Sequence, residues 1–467
     1  MKNQSIAALL GLLLGCWLQP CCAGQEVSKN SPPTSPRLTA LKKQLEAGDA
    51  AAIEGFWREM SGQGTPLIET IPGDNKHLLM TFLWRTSRPV KNVVLVDGPA
   101  GDDYANNQLN QLGNTGLWYR TYRVRSDARF YYSFSVNDPL IFPTDEKGWR
   151  QRSDALQADP LNRHAVVFPK DEDAPNSKEE VLSAVELPGT PQEAWTAPRT
   201  DISAGKVELH QMKSTLLNNE RRVWAYTPPG YDHRGKPYRL LILFDGWLYV
   251  RVIPTPTILD NLRAEKRIPP FVAVLVDNFL RIDPKTCGRE LAYSERFADF
   301  VAQELIPWIH AHYNVTSDPG ETIVGGLSAG GGAAAFVALR HPELFGNALS
   351  QSGAFQNEAA AVEQFFNDPE DRDEEWLIRQ FVAAPKLPLR FYLEAGLYEC
   401  FGNFSKGPTL LLANRHLRDV LLAKGYPIYY SEFAGDHSEL SWKGTLAHGL
   451  ILLAAPQVER RERKGKE

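Results

Sequence analysis

At 467 residues, with 43% apolar and 23% charged side chains, the chain exceeds one ordinary domain and has ample material for a core. A net charge of -5 argues against wholesale nucleic-acid binding, and any anionic ligand must find a local basic pocket because the global field repels it. The five cysteines form no C-x-x-C motif and no His cluster, so neither a metal nor another cofactor is expected.

Residues 1–24 read as an export signal: Lys2 supplies a positive charge, and Ile6 to Leu14 is an apolar run too short to span a bilayer. Two cleavage schemes compete. Leu13-Leu14-Gly15-Cys16 resembles a lipobox that would leave a lipidated Cys16, whereas Cys22-Ala23-Gly24 offers the small residues of ordinary cleavage; the lipoprotein is slightly preferred. Either scheme predicts a periplasmic protein; the lipoprotein scheme alone adds outer-membrane anchoring, with membrane contact only through Cys16. Residues 25–60 hold a Ser/Pro/Asn-rich leader and then helical spacing from Arg37 to Met60 (Leu38, Leu41, Leu45, Ile53, Phe56, Trp57), read as one or two helices.

Over residues 61–188 the texture changes to short alternating runs. Leu78 to Trp84, Val93 to Val96, Leu117 to Val124 and Phe130 to Val136 predict antiparallel strands of an all-β, immunoglobulin-like sandwich. Its aromatics read as core, with Trp84, Trp118 and the tyrosine cluster as weaker candidates for lining a groove. Asp159 and Arg163 are expected to form a local ion pair in preference to Arg163 binding substrate. Residues 189–205, which open on Gly189-Thr190-Pro191, read as a linker.

Residues 206–456 alternate β and α patterns. A hairpin (Lys206 to Thr215, Arg221 to Tyr226) precedes strands at Leu240 to Phe244, Phe271 to Val276, Thr322 to Gly325, Asn347 to Ser350, Arg390 to Ala395 and Ile428 to Phe433. Helical patterns intervene at Arg296 to Trp308, Gly330 to Arg340, Glu374 to Phe381 and Thr409 to Lys424. This spacing predicts a mainly parallel sheet covered on both faces, of the α/β-hydrolase type, with active residues on loops at the carboxyl ends of strands. Residues 457–467 are a charged, solvated tail. Cys287 and Cys400 both follow core strands, and an oxidising compartment would let them pair, two separate thiols being the alternative.

The chemistry converges on Gly326-Leu327-Ser328-Ala329-Gly330, a G-x-S-x-G motif between a strand run and a small-residue helix, which predicts Ser328 as nucleophile. Such a fold needs its partners in the order nucleophile, acid, histidine. Of the histidines downstream, His341 ends a helix, His416 and His448 lie within helices, and His437 alone follows the last strand, so His437 is the expected base. Glu399, past a turn, is favoured as the acid over Glu394, which is still inside its strand; Asp436 reads as loop-shaping. The oxyanion would be met by the amide of Ala329 and by that of Gly246 or Trp247 in Leu243-Phe244-Asp245-Gly246-Trp247.

Taken together these motifs resemble the enterochelin (ferric enterobactin) esterase family of the esterase-D-like α/β-hydrolases. The likeness runs through Arg222-Val223-Trp224-Ala225-Tyr226-Thr227-Pro228-Pro229-Gly230-Tyr231, Arg289-Glu290-Leu291, the serine motif, Leu349-Ser350-Gln351-Ser352-Gly353, Leu393-Glu394-Ala395-Gly396, and His437 with Trp442. It extends into the sandwich through Thr81-Phe82-Leu83-Trp84-Arg85 and Asp159-Pro160-Leu161-Asn162. The resemblance implies hydrolysis of the trilactone of a catecholate siderophore, ferric or iron-free, through an acyl-enzyme, with iron travelling as part of the substrate. It also implies that Arg289 and Trp442 face that substrate, a pairing of Arg289 with Glu290 or Glu295 being the alternative for the arginine. Many members of the family are cytoplasmic, and the export signal departs from them. Two rivals stand beside this reading: a secreted ester hydrolase acting on feruloyl or acetyl esters, and a non-catalytic siderophore-binding lipoprotein, against which the complete set of Ser328, Glu399 and His437 argues.

Overall fold

The computed structural model describes residues 34–101, 104–140, 146–174, 177–278, 284–356, 375–399 and 408–455. The export signal with Cys16, the leader before residue 34, Cys400, the Cys287 side chain and the charged tail lie outside the described residues, and with them the Cys287–Cys400 pairing.

Alternating and β-branched runs in the first half of the chain form strands β1 (Leu67–Ile71), β2 (Asp74–Arg85), β3 (Val93–Asp97), β4 (Asn110–Gln111), β5 (Leu117–Arg125), β6 (Arg129–Val136), β7 (Leu156–Gln157), β8 (Ala165–Phe168) and β9 (Glu180–Glu186). They pair antiparallel into one sheet ordered β1-β2-β5-β4 and another ordered β3-β6-β9-β8, with β7 added against β6. Met80, Phe82 and Tyr122 from the first sheet meet Leu95, Phe130, Tyr132 and Phe134 from the second, forming a sandwich core. The expected N-terminal helical stretch is two helices, Pro36–Glu46 and Ala52–Gln63, whose Leu38, Leu41, Phe56, Trp57 and Met60 pack against Leu67, Leu83 and Leu117 on the outer face of the first sheet. The expected Asp159–Arg163 ion pair does not form. Asp159 is buried and accepts from the Tyr132 hydroxyl (2.9 Å), while Arg163 donates to the backbone carbonyls of Ser61 and Gly62. A buried carboxylate takes the donors that share its pocket, and Arg163 points out towards the end of the second helix.

The second half builds one sheet of eight strands: β10 (Lys206–Ser214), β11 (Asn219–Thr227), β12 (Arg239–Phe244), β13 (Phe271–Val276), β14 (Thr322–Leu327), β15 (Asn347–Gln351), β16 (Arg390–Gly396) and β17 (Ile428–Phe433), in the order β10-β11-β13-β12-β14-β15-β16-β17. The opening hairpin joins antiparallel and β12 to β17 run parallel. Parallel strands covered on both faces are continuous apolar runs, and Phe271–Val276 and Thr322–Leu327 are buried throughout. This is the α/β-hydrolase fold. Strand β12 has β13 on one side and β14 on the other, so the chain reverses its direction of travel across the sheet there; loops after β12 and β14 diverge at such a point and leave a crevice above it.

Candidate functional site

Ser328 follows the last residue of β14 and begins the helix Ser328–Arg340 with a φ of 52°, a left-handed conformation that a serine adopts only when its surroundings enforce it. The enforcement is local. A Cβ on Gly326 would lie 2.5 Å from the carbonyl carbon of Gly330, and one on Gly330 would collide with the Asp245 carboxyl, so only glycines let the turn close this tightly. The Ser328 carbonyl accepts from the Ala354 amide (2.9 Å), and the Ala354 carbonyl in turn accepts from the Tyr293 hydroxyl (2.8 Å).

The loop after β17 carries His437 back over this turn. His437 Nε2 lies 2.8 Å from Ser328 Oγ, and its Nδ1 lies 3.1 Å from Glu399 Oε1, on the loop after β16. A carboxylate only accepts, which puts the ring proton on Nδ1 and leaves Nε2 to accept from the serine hydroxyl. Glu399 is fully buried and the His437 side chain is 20% exposed, so the relay runs from protein interior to open surface. This geometry can take a proton from a serine as it attacks and hold the imidazolium that results.

Glu394 lies below, still within β16. It is held by Gln351 Nε2 (2.9 Å), Thr445 Oγ1 (2.5 Å) and Tyr392 Oη (2.5 Å), and burial raises its pKa to about 7, against the pull of those donors. It makes no bond to His437. Asp436 accepts from Ser438 Oγ (2.6 Å) and the Tyr131 amide (3.2 Å), and burial pushes its pKa well above the usual range.

Ala329 sits in the first turn of the serine helix, where amides have no intrahelical acceptor. The register pairs Leu243 with Gly325, which carried on one residue at a time brings Gly246 level with Ser328; Gly246 and Trp247 open the helix Gly246–Arg251. The helices that open at Ser328 and at Gly246 thus follow adjacent parallel strands, which puts their N-terminal amides at the same end of the sheet as the serine. Asp245, the residue before Gly246, has φ 66° and accepts from Asn278 Nδ2. Burial raises its pKa to about 8, which favours the neutral acid over a negative charge at this turn.

Trp442 departs from its expected place at the substrate. Only 2% exposed, it donates from Nε1 to Ser352 Oγ (2.9 Å) and meets the His437 ring edge-on at 4.8 Å, so it supports the imidazole from behind. Arg289 is exposed on the helix Pro284–Leu291 and donates to Thr286 Oγ1 (2.7 Å). Of the two readings of this arginine, the pairing alternative does not form: Glu290 is held by Arg221 (2.8 Å) and Glu295 faces Arg340 (3.5 Å).

Beside His437 opens a cavity of about 250 Å³ lined by Asp97, Tyr131 and Phe168 from the sandwich and by Leu248 and Ser438 from the hydrolase half. Trp84 and Trp118 do not line it, and of the tyrosine cluster only Tyr131 does. Asp97 escaped the sequence reading because a lone acid at a strand end carries no signal; burial raises its pKa to about 6, with the nearby His437 opposing. Among the described residues no group of His, Cys, Asp or Glu is arranged to hold a metal ion, and no helix is long and apolar enough to cross a membrane.

Residues 214–453 match the family model described as "Putative esterase", and residues 79–196 match "Enterochelin esterase, N-terminal". The iron(III) enterobactin esterase of Dickeya dadantii is 28% identical over 454 residues, covering 90% of this chain and 97% of that one. Among solved structures, the ferric enterobactin esterase of Salmonella typhimurium aligns with a TM-score of 0.66 at 27% identity over 86% of this chain and 98% of its own. The enterobactin esterase of Shigella flexneri, crystallised in the presence of enterobactin, aligns at 0.62 and 27% over 84% and 96%.

Proposed function

From a chain that belongs to the esterase family matched over residues 214–453, with an enterochelin esterase N-terminal domain ahead of it, we propose hydrolysis of the ester backbone of a catecholate siderophore by a serine mechanism. The observation that carries the proposal is the continuous hydrogen-bonded path Ser328–His437–Glu399 in a carboxylic ester hydrolase similar along nearly its whole length to iron(III) enterobactin esterases.

In this mechanism Ser328 Oγ attacks a lactone carbonyl while His437 Nε2 takes its proton. Amides of Ala329 and of Gly246 or Trp247 receive the carbonyl oxygen as it becomes negative. As the intermediate collapses, His437 gives the proton to the departing alkoxide, which leaves as a hydroxyl, and the acyl group stays on Ser328. Water then attacks the acyl-enzyme; His437 takes one of its protons and returns it to Ser328 Oγ, releasing a carboxylic acid that loses its remaining proton to solvent. Glu399 holds Nδ1 and offsets the imidazolium charge at both stages. The first cut opens the trilactone ring to a linear trimer, and later cuts divide that trimer at its remaining esters. Export through residues 1–24 to the periplasm, with Cys16 as the lipid-bearing residue, completes the proposal; it rests on Lys2, the Ile6 to Leu14 run and the lipobox-like sequence.

The discriminating experiment compares kcat/KM of the purified protein on the siderophore trilactone, ferric and iron-free, with that on a feruloyl sugar ester and an aryl acetate. The proposal expects the trilactone to be preferred by at least about 100-fold in one iron state, a margin of about 3 kcal/mol in transition-state binding. Preference for the feruloyl ester would transfer the assignment to the rival esterase.

A further inference from the structure

Glu399 and His437 stand on neighbouring loops that clasp each other. The Leu397 amide donates to the Phe433 carbonyl (2.9 Å), the Tyr398 amide donates to the Gly435 carbonyl (3.2 Å), and a Cβ on Gly396 would collide with that same carbonyl. Neither loop, however, is finished within the hydrolase half.

On the acid side, Tyr398, the residue before Glu399, turns its ring out of the hydrolase sheet and into the sandwich core. It is 3% exposed, lies edge-on to Phe130 at 4.8 Å, and its hydroxyl accepts from the Arg125 amide (3.0 Å). On the histidine side, the start of β6 treats the loop as an added strand. The Arg129 amide donates to the Ala434 carbonyl (3.0 Å), Arg129 bridges in parallel to Gly435, and the Tyr131 amide donates to the Asp436 carboxyl (3.2 Å). The buried Arg129 guanidinium continues across the loop, donating to the Leu440 carbonyl (3.0 Å), to the Pro191 carbonyl (2.8 Å) and to Glu193. Charged donors this deep are tolerated only when their acceptors are fixed, so a buried sandwich arginine that bonds to backbone of both the linker and the hydrolase half fixes that boundary at one register.

We propose that the sandwich is a working part of the catalytic apparatus, with Tyr398 and Arg129 as positioning residues that set Glu399 and His437 against Ser328 from across the domain boundary. The inference rests on the serine mechanism proposed above. It separates from simple adhesion between domains, because adhesion is spread over the contact and would affect stability alone, whereas these contacts fall on the residues adjoining the acid and on both flanks of the base. Misplacement of a relay by about 1 Å costs on the order of 100-fold in rate while leaving substrate binding intact.

The test uses the full chain carrying Tyr398→Ala, Tyr398→Phe, Arg129→Ala or Arg129→Lys. For each variant kcat and KM are measured on an aryl ester and on the trilactone, normalised to sites titrated with a fluorophosphonate, beside a thermal melt. The expected result is a fall in kcat per titrated site of about 30- to 100-fold for the alanine variants, with KM held within about threefold. Tyr398→Phe keeps the ring and Arg129→Lys keeps a donor, so both are expected to recover much of the loss; they also stay readable should an alanine variant fail to fold. A kcat per titrated site within twofold of wild type in every folded variant, or a loss confined to KM or to melting temperature, overturns the positioning role. An inactive wild type would instead sink the serine mechanism, so the two failures are told apart.

Discussion

Glu394 and Glu399 leave the same strand on either side of its end, and their surroundings divide their tasks. Glu399 faces His437 Nδ1, whereas Glu394 is enclosed by Gln351, Thr445 and Tyr392. Replacing Glu399 by Gln allows the wrong imidazole tautomer and is expected to lower kcat by roughly 10³- to 10⁴-fold in steady-state assays. Glu394→Gln should leave kcat within about tenfold, since Glu394 touches neither ring nor serine. Equal losses in the two variants would mean that the acid has been misassigned. Asp245 supplies the pH dependence at this scale. Its pKa, raised to about 8 by burial, keeps it protonated below that pH; above it, ionisation sets a negative charge beside Gly246 and Trp247, whose amides are proposed to receive the oxyanion. The account expects kcat to fall on the alkaline side with an apparent pKa near 8, and Asp245→Asn to abolish that limb. Persistence of the limb in the variant would assign it elsewhere. Glu399 could be picked out in the sequence because a turn separates it from its strand. Trp442 could not be placed, because an aromatic near a histidine looks the same whether it faces the substrate or supports the imidazole from behind.

At the scale of elements, the serine turn is a packing problem solved by glycine. Gly326→Ala inserts a methyl against the backbone of Gly330 and is expected to destabilise the fold by about 2–3 kcal/mol in denaturant titration and to slow fluorophosphonate labelling of Ser328. A wild-type denaturation midpoint would show that the turn has slack. Arg222 is a second fixed point. It joins Asp277, after β13, to Asp171 in the segment between β8 and β9 (2.6 and 2.7 Å). Arg222→Ala leaves those carboxylates without the guanidinium between them, and about 3–5 kcal/mol of stability should be lost. The buried parallel strands were legible because an apolar run such as Phe271–Val276 has few other homes. Strands β8 and β9 were not, since their half-exposed patterns match a loop as well as an edge strand, and β4 and β7 are two residues each.

For the whole molecule, the two halves and their order could be read from the change in texture near residue 206, but the contact between them could not. Tyr398 looks like a loop residue until its ring is seen in the sandwich, and nothing in the periodicity of Arg129 or Tyr131 marks them as neighbours of His437. Such contacts join residues about 300 positions apart, beyond any local pattern. The proposed export is tested at this scale as well: cell fractionation should find the protein in the periplasmic membrane fraction, and Cys16→Ser should release it or block its processing, whereas cytoplasmic recovery of the wild type would contradict export. The central claim is more direct. Purified protein and its Ser328→Ala variant are incubated with the ferric and the iron-free trilactone, and the products are separated by chromatography. The account predicts linear trimer, dimer or monomer from the wild type in at least one iron state and none from the variant; intact trilactone in both states, or equal cleavage by the variant, would contradict it.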